Sequence, residues 1–169
     1  VRIVFRHNAL PFHKRALPAA VASMAAHKQG KFWEMHDKLF ANQKALSDAD
    51  LEKYATEVGL DMAKYKKDIA DPALTKMVKD DMEMAQSVNA RGTPNFFING
   101  RNVRGAVPYE TFETTINEEL AKAKKLVENG TKPADVYAAI IKDGKTFEPL
   151  DPKANTFSME DAAFAGNEK

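Results

Sequence analysis

The spacing of hydrophobic positions changes along the chain, and each change predicts a new element. Residues 1–6 (Val-Arg-Ile-Val-Phe-Arg) are apolar and rich in β-branched side chains, which predicts a short buried strand. From about residue 16 to residue 89 the apolar residues recur every three or four positions, which is typical of amphipathic helices. Short strands are predicted at residues 95–98 and 101–105, and helices after residue 109. This order predicts an α/β domain with a helical insertion.

Helix boundaries are marked by residues that favour a helix terminus. The predicted starts are Pro18, Lys31, Ser47, Asp61 and the pair Asp71-Pro72, and the matching ends lie near His27, Asn42, Gly59, Ala70 and residue 89. A further helix is predicted from Tyr109 to near Gly130.

Several large side chains are assigned to the core from their helical spacing. They are Leu74, Met77, Val78, Met82, Ala85 and Val88 before the hairpin, and Tyr109, Phe112, Ile116, Leu120, Ala123 and Val127 after it. Trp33 and Phe40, on the flank of the helix that starts at Lys31, are assigned to the core of the insertion, and a binding cage is the alternative. A methionine-lined peptide groove formed by Met77, Met82 and Met84 is the alternative to core positions for those three residues.

The stretch from Arg91 to Gly100 carries the strongest local signals of the chain. Gly92-Thr93-Pro94 predicts a turn, and Asn99-Gly100 is a two-residue hairpin signal. Pro94 would open a strand, where a missing N–H costs least. A cis Thr93–Pro94 bond, the state of about one in twenty X–Pro bonds in folded proteins, would turn the Thr93 backbone outward beside the sheet. An ordinary turn before a hairpin is the alternative interpretation.

The pattern loses its periodicity after a last short helix predicted at residues 132–142, which Gly144 would end. Residues 145–169 contain two prolines and few periodic apolar residues, and are interpreted as a tail or linker with an edge strand at residues 155–159. The predicted domain is therefore residues 1–144, with the insertion at about residues 16–89.

Composition narrows the classes of function. The chain has 169 residues, enough for one domain with a proper core, and its net charge of +1 with no basic stripe argues against nucleic acid binding. No apolar run approaches the roughly 18 residues of a membrane span. The absence of cysteine excludes disulfides and thiol chemistry within these residues. The start at Val1, inside an apolar run and without methionine, is interpreted as a fragment or a processed product.

No residue pattern predicts a metal or a bound cofactor. The histidines His7, His13, His27 and His36 are spaced too irregularly for a ligand set, and no carboxylate pattern accompanies them. The acidic residues are interpreted as helix caps and solvated faces.

Two blocks of residues together resemble the DsbA-like thioredoxin-fold family. Residues 6–13 (Arg-His-Asn-Ala-Leu-Pro-Phe-His), Ala19-Ala20 and residues 29–40 look like its strand-to-helix junction and first inserted helices. Gly92-Thr93-Pro94 followed by residues 96–100 looks like its cis-proline loop and hairpin. The resemblance extends from about Val1 to Leu126. It implies a thioredoxin-like fold of the DsbA type, in which Thr93 and Pro94 shape the loop that offers its backbone to an extended substrate peptide.

The chain departs from this family at its start. Members have a strand that leads into a Cys-x-x-Cys motif at the N-terminus of a helix, where the helix dipole stabilises the thiolate. Strand, helix and cysteines are missing here, so the fold is expected to be incomplete at the N-terminus and no catalytic residue lies in this chain. The resemblance then implies a redox-inactive piece of a bacterial protein thiol–disulfide oxidoreductase, periplasmic or otherwise extracytoplasmic, with protein thiols or disulfides as substrates and no cofactor.

The missing strand would lie between residues 1–6 and residues 95–98, so both would present unpaired backbone groups. Each such group, if buried, costs about 1–3 kcal/mol, so a partner chain, the tail or rearrangement is expected to satisfy them. A redox-inactive module that takes up an extended peptide or forms a homodimer through these strands is the alternative function. A glutathione-using or isomerase relative with a serine in the attacking position is a third. The end of the tail also resembles the leader of a second DsbA-like domain.

Overall fold

The computed structural model describes residues 2–142. Five helices come first: α1 (Ala16–His27), α2 (Phe32–Ala41), α3 (Asp48–Glu57), α4 (Met62–Ile69) and α5 (Pro72–Ser87). A hairpin of β1 (Asn95–Ile98) and β2 (Arg101–Arg104) follows. The long helix α6 (Tyr109–Glu128), a 3₁₀ turn at Pro133–Asp135 and the short α7 (Val136–Ile141) complete this part of the chain.

Three of the helix starts predicted from the sequence are confirmed by side-chain caps. The Ser47 hydroxyl accepts from the Asp50 N–H, and the Asp50 carboxylate accepts from the Ser47 N–H in return (2.9 Å), which is a capping box. Asp61 and Asp71 each cap a helix, α4 and α5, with one carboxylate hydrogen bond, and Pro72 occupies the first turn of α5. Lys31 precedes α2 without a side-chain cap, and α1 begins at Ala16, two residues before Pro18.

The core is a helical cluster centred on α1. This helix contacts α2, α3, α4 and α5, and small residues at Ala22, Ala25 and Ala26 let the other helices approach its backbone closely. Around it lie the buried larger side chains: Met35, Leu51, Tyr54, Tyr65, Leu74 and Val78. Close packing against a small-residue helix holds residues 16–87 together.

The hairpin pairs Asn95 with Arg104 and Ile98 with Arg101, in antiparallel register. Asn99 and Gly100 both have positive φ, as a two-residue type I′ turn requires, so the predicted hairpin is confirmed. Phe96 packs edge-to-face on Phe112 of α6, with ring centroids 4.8 Å apart.

The strand predicted at residues 1–6 is wrong for the five residues that the structure describes. Residues 2–6 are irregular and exposed, and the described sheet has two strands, β1 and β2. A β-branched apolar segment forms a strand only where another strand completes its hydrogen bonds, and none lies beside residues 2–6 in the described part of the chain.

Several side chains assigned to the core are exposed instead. Trp33 is 49% exposed and Phe40 57% exposed, and Met77, Met84, Val88, Tyr109, Leu120 and Val127 are also exposed. Helical spacing shows which residues share a face, but burial needs another element against that face. Within residues 2–142 the faces that carry these side chains have no such cover over most of their length.

The predicted last helix is present as the 3₁₀ turn and α7, whereas Gly144, the tail at residues 145–169 and its edge strand lie outside the described residues. Across residues 2–142, no helix is both long and apolar enough to cross a membrane.

Candidate functional site

The loop between α5 and β1 begins with a fixed helix end. Asn89 has a φ of +58°, and its N–H donates to the Gln86 carbonyl (3.0 Å) while the Ala90 N–H donates to the Ala85 carbonyl (2.7 Å). This pair of bonds is the Schellman pattern, with Asn89 in the left-handed position that glycine usually takes. The direction in which the chain leaves α5 is therefore set by the backbone.

The N-terminal segment lies against this helix end. Asn8 Nδ2 donates to the Ala90 carbonyl (2.8 Å), Arg6 pairs with Asp81 of α5 (2.8 Å), and the His7 N–H donates to the other Asp81 oxygen (3.1 Å). A side-chain amide and a carboxylate thus hold residues 6–8 beside α5 without any strand pairing.

Thr93 and Pro94 lie at the exposed tip of the loop. The Thr93–Pro94 peptide bond is cis, and the Pro94 carbonyl accepts from the Gly105 N–H (2.9 Å), which ties the loop to the far end of β2. Neither backbone group of Thr93 is hydrogen-bonded to another backbone group within residues 2–142. The strand that follows, β1, pairs only with β2 in this part of the chain, so its other edge is open.

His7 is a buried titratable group in the segment that lies against α5. It is 7% exposed, and its Nε2 lies 3.5 Å from the Ser23 hydroxyl of α1. Burial lowers the pKa of His7; the negative charge of Asp81 opposes this shift, and the nearby His36 adds to it. Phe5 and Phe32 pack edgewise against the His7 ring, which keeps water from it.

A buried carboxylate joins the hairpin to α6. Glu119 accepts from Lys122 (2.6 Å) and pairs with Arg101 at the end of the turn, while Arg101 also pairs with Glu118. Burial alone would raise the pKa of Glu119, but the hydrogen bonds and charges of Lys122 and Arg101 outweigh it, so this pKa is lowered. These pairs place the hairpin on α6 with the Thr93 loop at the opposite end of the strands.

The sequence predicted the loop but not its supports. The anchoring roles of Asn8 and Asp81 and the burial of His7 and Glu119 were missed, because each depends on a contact between residues far apart in the chain. An asparagine directly after an apolar segment was the one available signal, since this residue type often bonds a nearby backbone.

The site can bind through its main chain but cannot exchange disulfides by itself. Thr93 offers an exposed N–H and C=O beside an open strand edge, which suits an extended peptide. A thiolate is the nucleophile in disulfide exchange, and these 169 residues include no cysteine. No cluster of three potential metal ligands lies among residues 2–142.

Comparison with known families identifies this arrangement. The family model of the DSBA-like thioredoxin domain matches residues 1–117, which includes the N-terminal segment, all five helices of the core and the hairpin. The chain belongs to the DSBA-like thioredoxin domain family. The resemblance inferred from the sequence is thereby confirmed.

Curated relatives match this chain over a minor part of a longer protein. The Na⁺/H⁺ antiporter NhaA 3 of Salinispora tropica is 38% identical over 134 residues, which are 79% of this chain and 21% of that protein. NhaA of Herminiimonas arsenicoxydans is 40% identical over 111 residues, 66% of this chain and 18% of that protein. The chain therefore spans about a fifth of the length of these relatives. No solved structure matches it.

Proposed function

We propose that this chain is the peptide-docking part of a protein thiol–disulfide oxidoreductase domain. In this proposal an extended substrate peptide binds along the Thr93–Pro94 loop, and the cysteines that attack its disulfide lie outside these 169 residues. The family membership supports a periplasmic or other extracytoplasmic setting, with protein thiols and disulfides as substrates and no bound cofactor.

The observation that carries this proposal is the exposed backbone of Thr93. Its N–H and C=O are unpaired with other backbone groups of residues 2–142, and it stands directly before a strand whose outer edge is open. A peptide that lies antiparallel to this stretch can exchange hydrogen bonds with Thr93 and continue along β1. Backbone pairing of this kind binds many sequences, as an enzyme that acts on unfolded proteins requires.

The antiporter relatives support a domain that works as part of a larger protein. Their alignments cover 79% and 66% of this chain and about a fifth of each relative. We therefore propose that this chain, like the matched part of those relatives, is joined to further polypeptide. The proposal does not include the ion transport for which those proteins are named.

The docking role is tested by peptide titration of two Thr93 variants. Thr93→Pro removes the N–H, whereas the matched control Thr93→Val removes only the hydroxyl and keeps both backbone groups. One lost hydrogen bond is worth about 1 kcal/mol, so Thr93→Pro should bind reduced, carboxymethylated lysozyme several-fold more weakly, and Thr93→Val should bind as the native chain does. Amide shifts of the loop in NMR spectra measure both affinities.

Equal affinities for all three proteins would remove Thr93 from the binding site. Retention of the contact between Phe96 and Phe112 in each variant shows that the hairpin still packs on α6. A loss seen in Thr93→Val as well would assign binding to the side chain and contradict the backbone mechanism.

A redox-inactive binding module is the second function, and one observation favours it. The segment at residues 2–6 is exposed and in no strand of the described chain, with Ile3 76% exposed, and β1 is open at one edge. The β-branched segment and the open edge are suited to pair with a strand from another protein or from a second copy of this chain.

A further inference from the structure

A cleft lies between the N-terminal segment and the last turns of α5, next to the Thr93 loop. It measures about 350 Å³ and is lined by Asn8, Ala9, Leu10, Pro11, Phe12, Met82, Gln86 and Arg91. Five of the eight lining residues are apolar, but the exposed lining surface is about equally polar and apolar, and Phe12 is 73% exposed. Arg91 is the one charged side chain among the lining residues. The cleft thus offers apolar side chains, polar groups and one cation.

Two of the three stretches that line the cleft carry positive charge without acidic residues. Residues 2–15 contain Arg2, Arg6, Lys14 and Arg15, and residues 84–109 contain Arg91, Arg101 and Arg104. Of these cations, Arg6, Arg15 and Arg101 are paired with Asp81, Asp48 and Glu118, and Arg91 lines the cleft itself. The third stretch, α5, carries acids: Asp81 is bound by Arg6 and the His7 N–H, Asp80 pairs with Lys76, and Glu83 follows Met82 in the sequence. Arg91 is therefore the cation that an anionic occupant would meet in the cleft.

The same chain contains a segment of that chemistry outside the described residues. Residues 143–169 hold six carboxylates against three lysines, a net charge of −3, while residues 1–142 carry +4 of the total of +1. Within this stretch, residues 157–161 read Phe-Ser-Met-Glu-Asp. Two apolar side chains at alternate positions and an acidic pair directly after them match the apolar side chains and the one cation of the cleft.

The segment is long enough to reach. The chain passes Ile141, whose Cγ2 lies beside Gly100 at the hairpin turn, so residue 142 starts at the far end of the two strands. The four residues of β1 and the four from Pro94 back to Arg91 span at most roughly 26 Å at about 3.3 Å per residue. The fifteen residues from Lys142 to Phe157 can extend to about 50 Å.

We propose that residues 157–161 bind in this cleft of their own chain. Phe157 and Met159 pack against Phe12 and Met82, and Glu160 and Asp161 face Arg91. Because Arg91 is two residues from Thr93, the bound segment competes in cis with a peptide that approaches the loop. This docking does not rest on the proposed function, since the cleft and the segment complement each other whatever the loop binds.

The test uses the full chain and the absence of native cysteine. A nitroxide label on Ser158→Cys has a single attachment site, and its effect is read as loss of amide signal in the isotope-labelled protein. We expect strong signal loss at Leu10, Phe12, Gln86 and Arg91, and little loss in the helices α3 and α4.

Charge variants decide whether the contact is the one proposed. Arg91→Glu should restore the amide signals of Leu10 and Phe12. When Glu160→Arg and Asp161→Arg are combined with Arg91→Glu, these two signals should be lost again. Arg104→Glu makes the same charge change on β2 away from the cleft and should leave the pattern as in the native chain. Unchanged α1 signals show that each variant is folded.

Three results would overturn the proposal. No loss, or a loss spread evenly over the surface, means that the segment does not occupy the cleft. A loss that persists in Arg91→Glu means that the acidic pair does not face this arginine. The last control mixes molecules that carry only the nitroxide with molecules that carry only the isotope label. Loss of amide signal in this mixture would mean that the segment binds in the cleft of a second copy of the chain.

Discussion

At the scale of single residues, the buried ring of His7 makes the stability of the fold depend on pH. Its ring is enclosed by Phe5, Phe32 and Ser23, and burial lowers its pKa below the usual 6.5. The folded protein therefore binds a proton at His7 less readily than the unfolded chain. Its contribution to stability is fully present above about pH 6.5 and is lost as the pH falls toward the lowered pKa.

We therefore predict that the free energy of unfolding decreases as the pH is lowered from about 7.5 to about 5.5, and that the protonation of His7 causes part of this decrease. One titrating group contributes at most about 1.4 kcal/mol per pH unit. Urea unfolding of His7→Gln should show a shallower pH dependence than the native protein. His13→Gln, which removes an exposed histidine, serves as the control and should keep the native slope. Equal slopes for His7→Gln and the native chain would contradict this account.

At the scale of elements, both candidate functions use the open edge of β1. Its residues Phe96 and Phe97 are partly exposed, and the hairpin rests on α6 through Phe96 and Arg101. Exposed, apolar strand edges pair with other chains unless charge or cover prevents it. The second function, a binding module that also forms a homodimer, follows from this edge.

That function predicts an apparent mass that rises toward twice the monomer value with concentration, measured by light scattering. Phe97→Lys places a charge on the exposed strand and should lower the dimer fraction. Asn102→Lys puts the same charge on the facing position of β2 and should have the smaller effect if β1 is the contact. A monomer at every concentration would count against the dimer.

At the scale of the whole molecule, the described chain is a helical core with a hairpin unit beside it. Nearly all buried apolar side chains lie between Ala19 and Val78, around α1, whereas α6 buries only Thr115 and Glu119. Under the proposed function, we expect a strand and a redox helix from further polypeptide to cover the exposed stripe of α6 and residues 2–6. The proposed function accordingly assigns the cysteines to polypeptide outside this chain.

Thiol titration of the complete gene product, before and after mild reduction, tests that assignment. We expect two thiols per domain to appear on reduction, one of them reacting much faster near neutral pH because a thiolate reacts and a thiol does not. This isolated chain is the control and gives none. No thiols in either state would leave the binding module as the function, and a single serine in the attacking position would point to a glutathione-using or isomerase relative.

The sequence by itself determined the parts that depend on a few neighbouring residues. The caps at Ser47, Asp61 and Asp71, the Asn99-Gly100 turn and the position of the Thr93–Pro94 loop all follow from local geometry, which a short stretch of side chains settles on its own.

Only the tertiary structure decided pairing and burial. Residues 2–6 have a strand's composition but no neighbouring strand in the described chain, and Trp33 lies on the surface although its spacing suits a core. The supports of the loop, Asn8 and Asp81, act on residues more than seventy positions away along the chain. Hydrogen bonding between strands and the burial of apolar surface both need a second element opposite the first. The periodicity of one segment does not predict whether that second element is present.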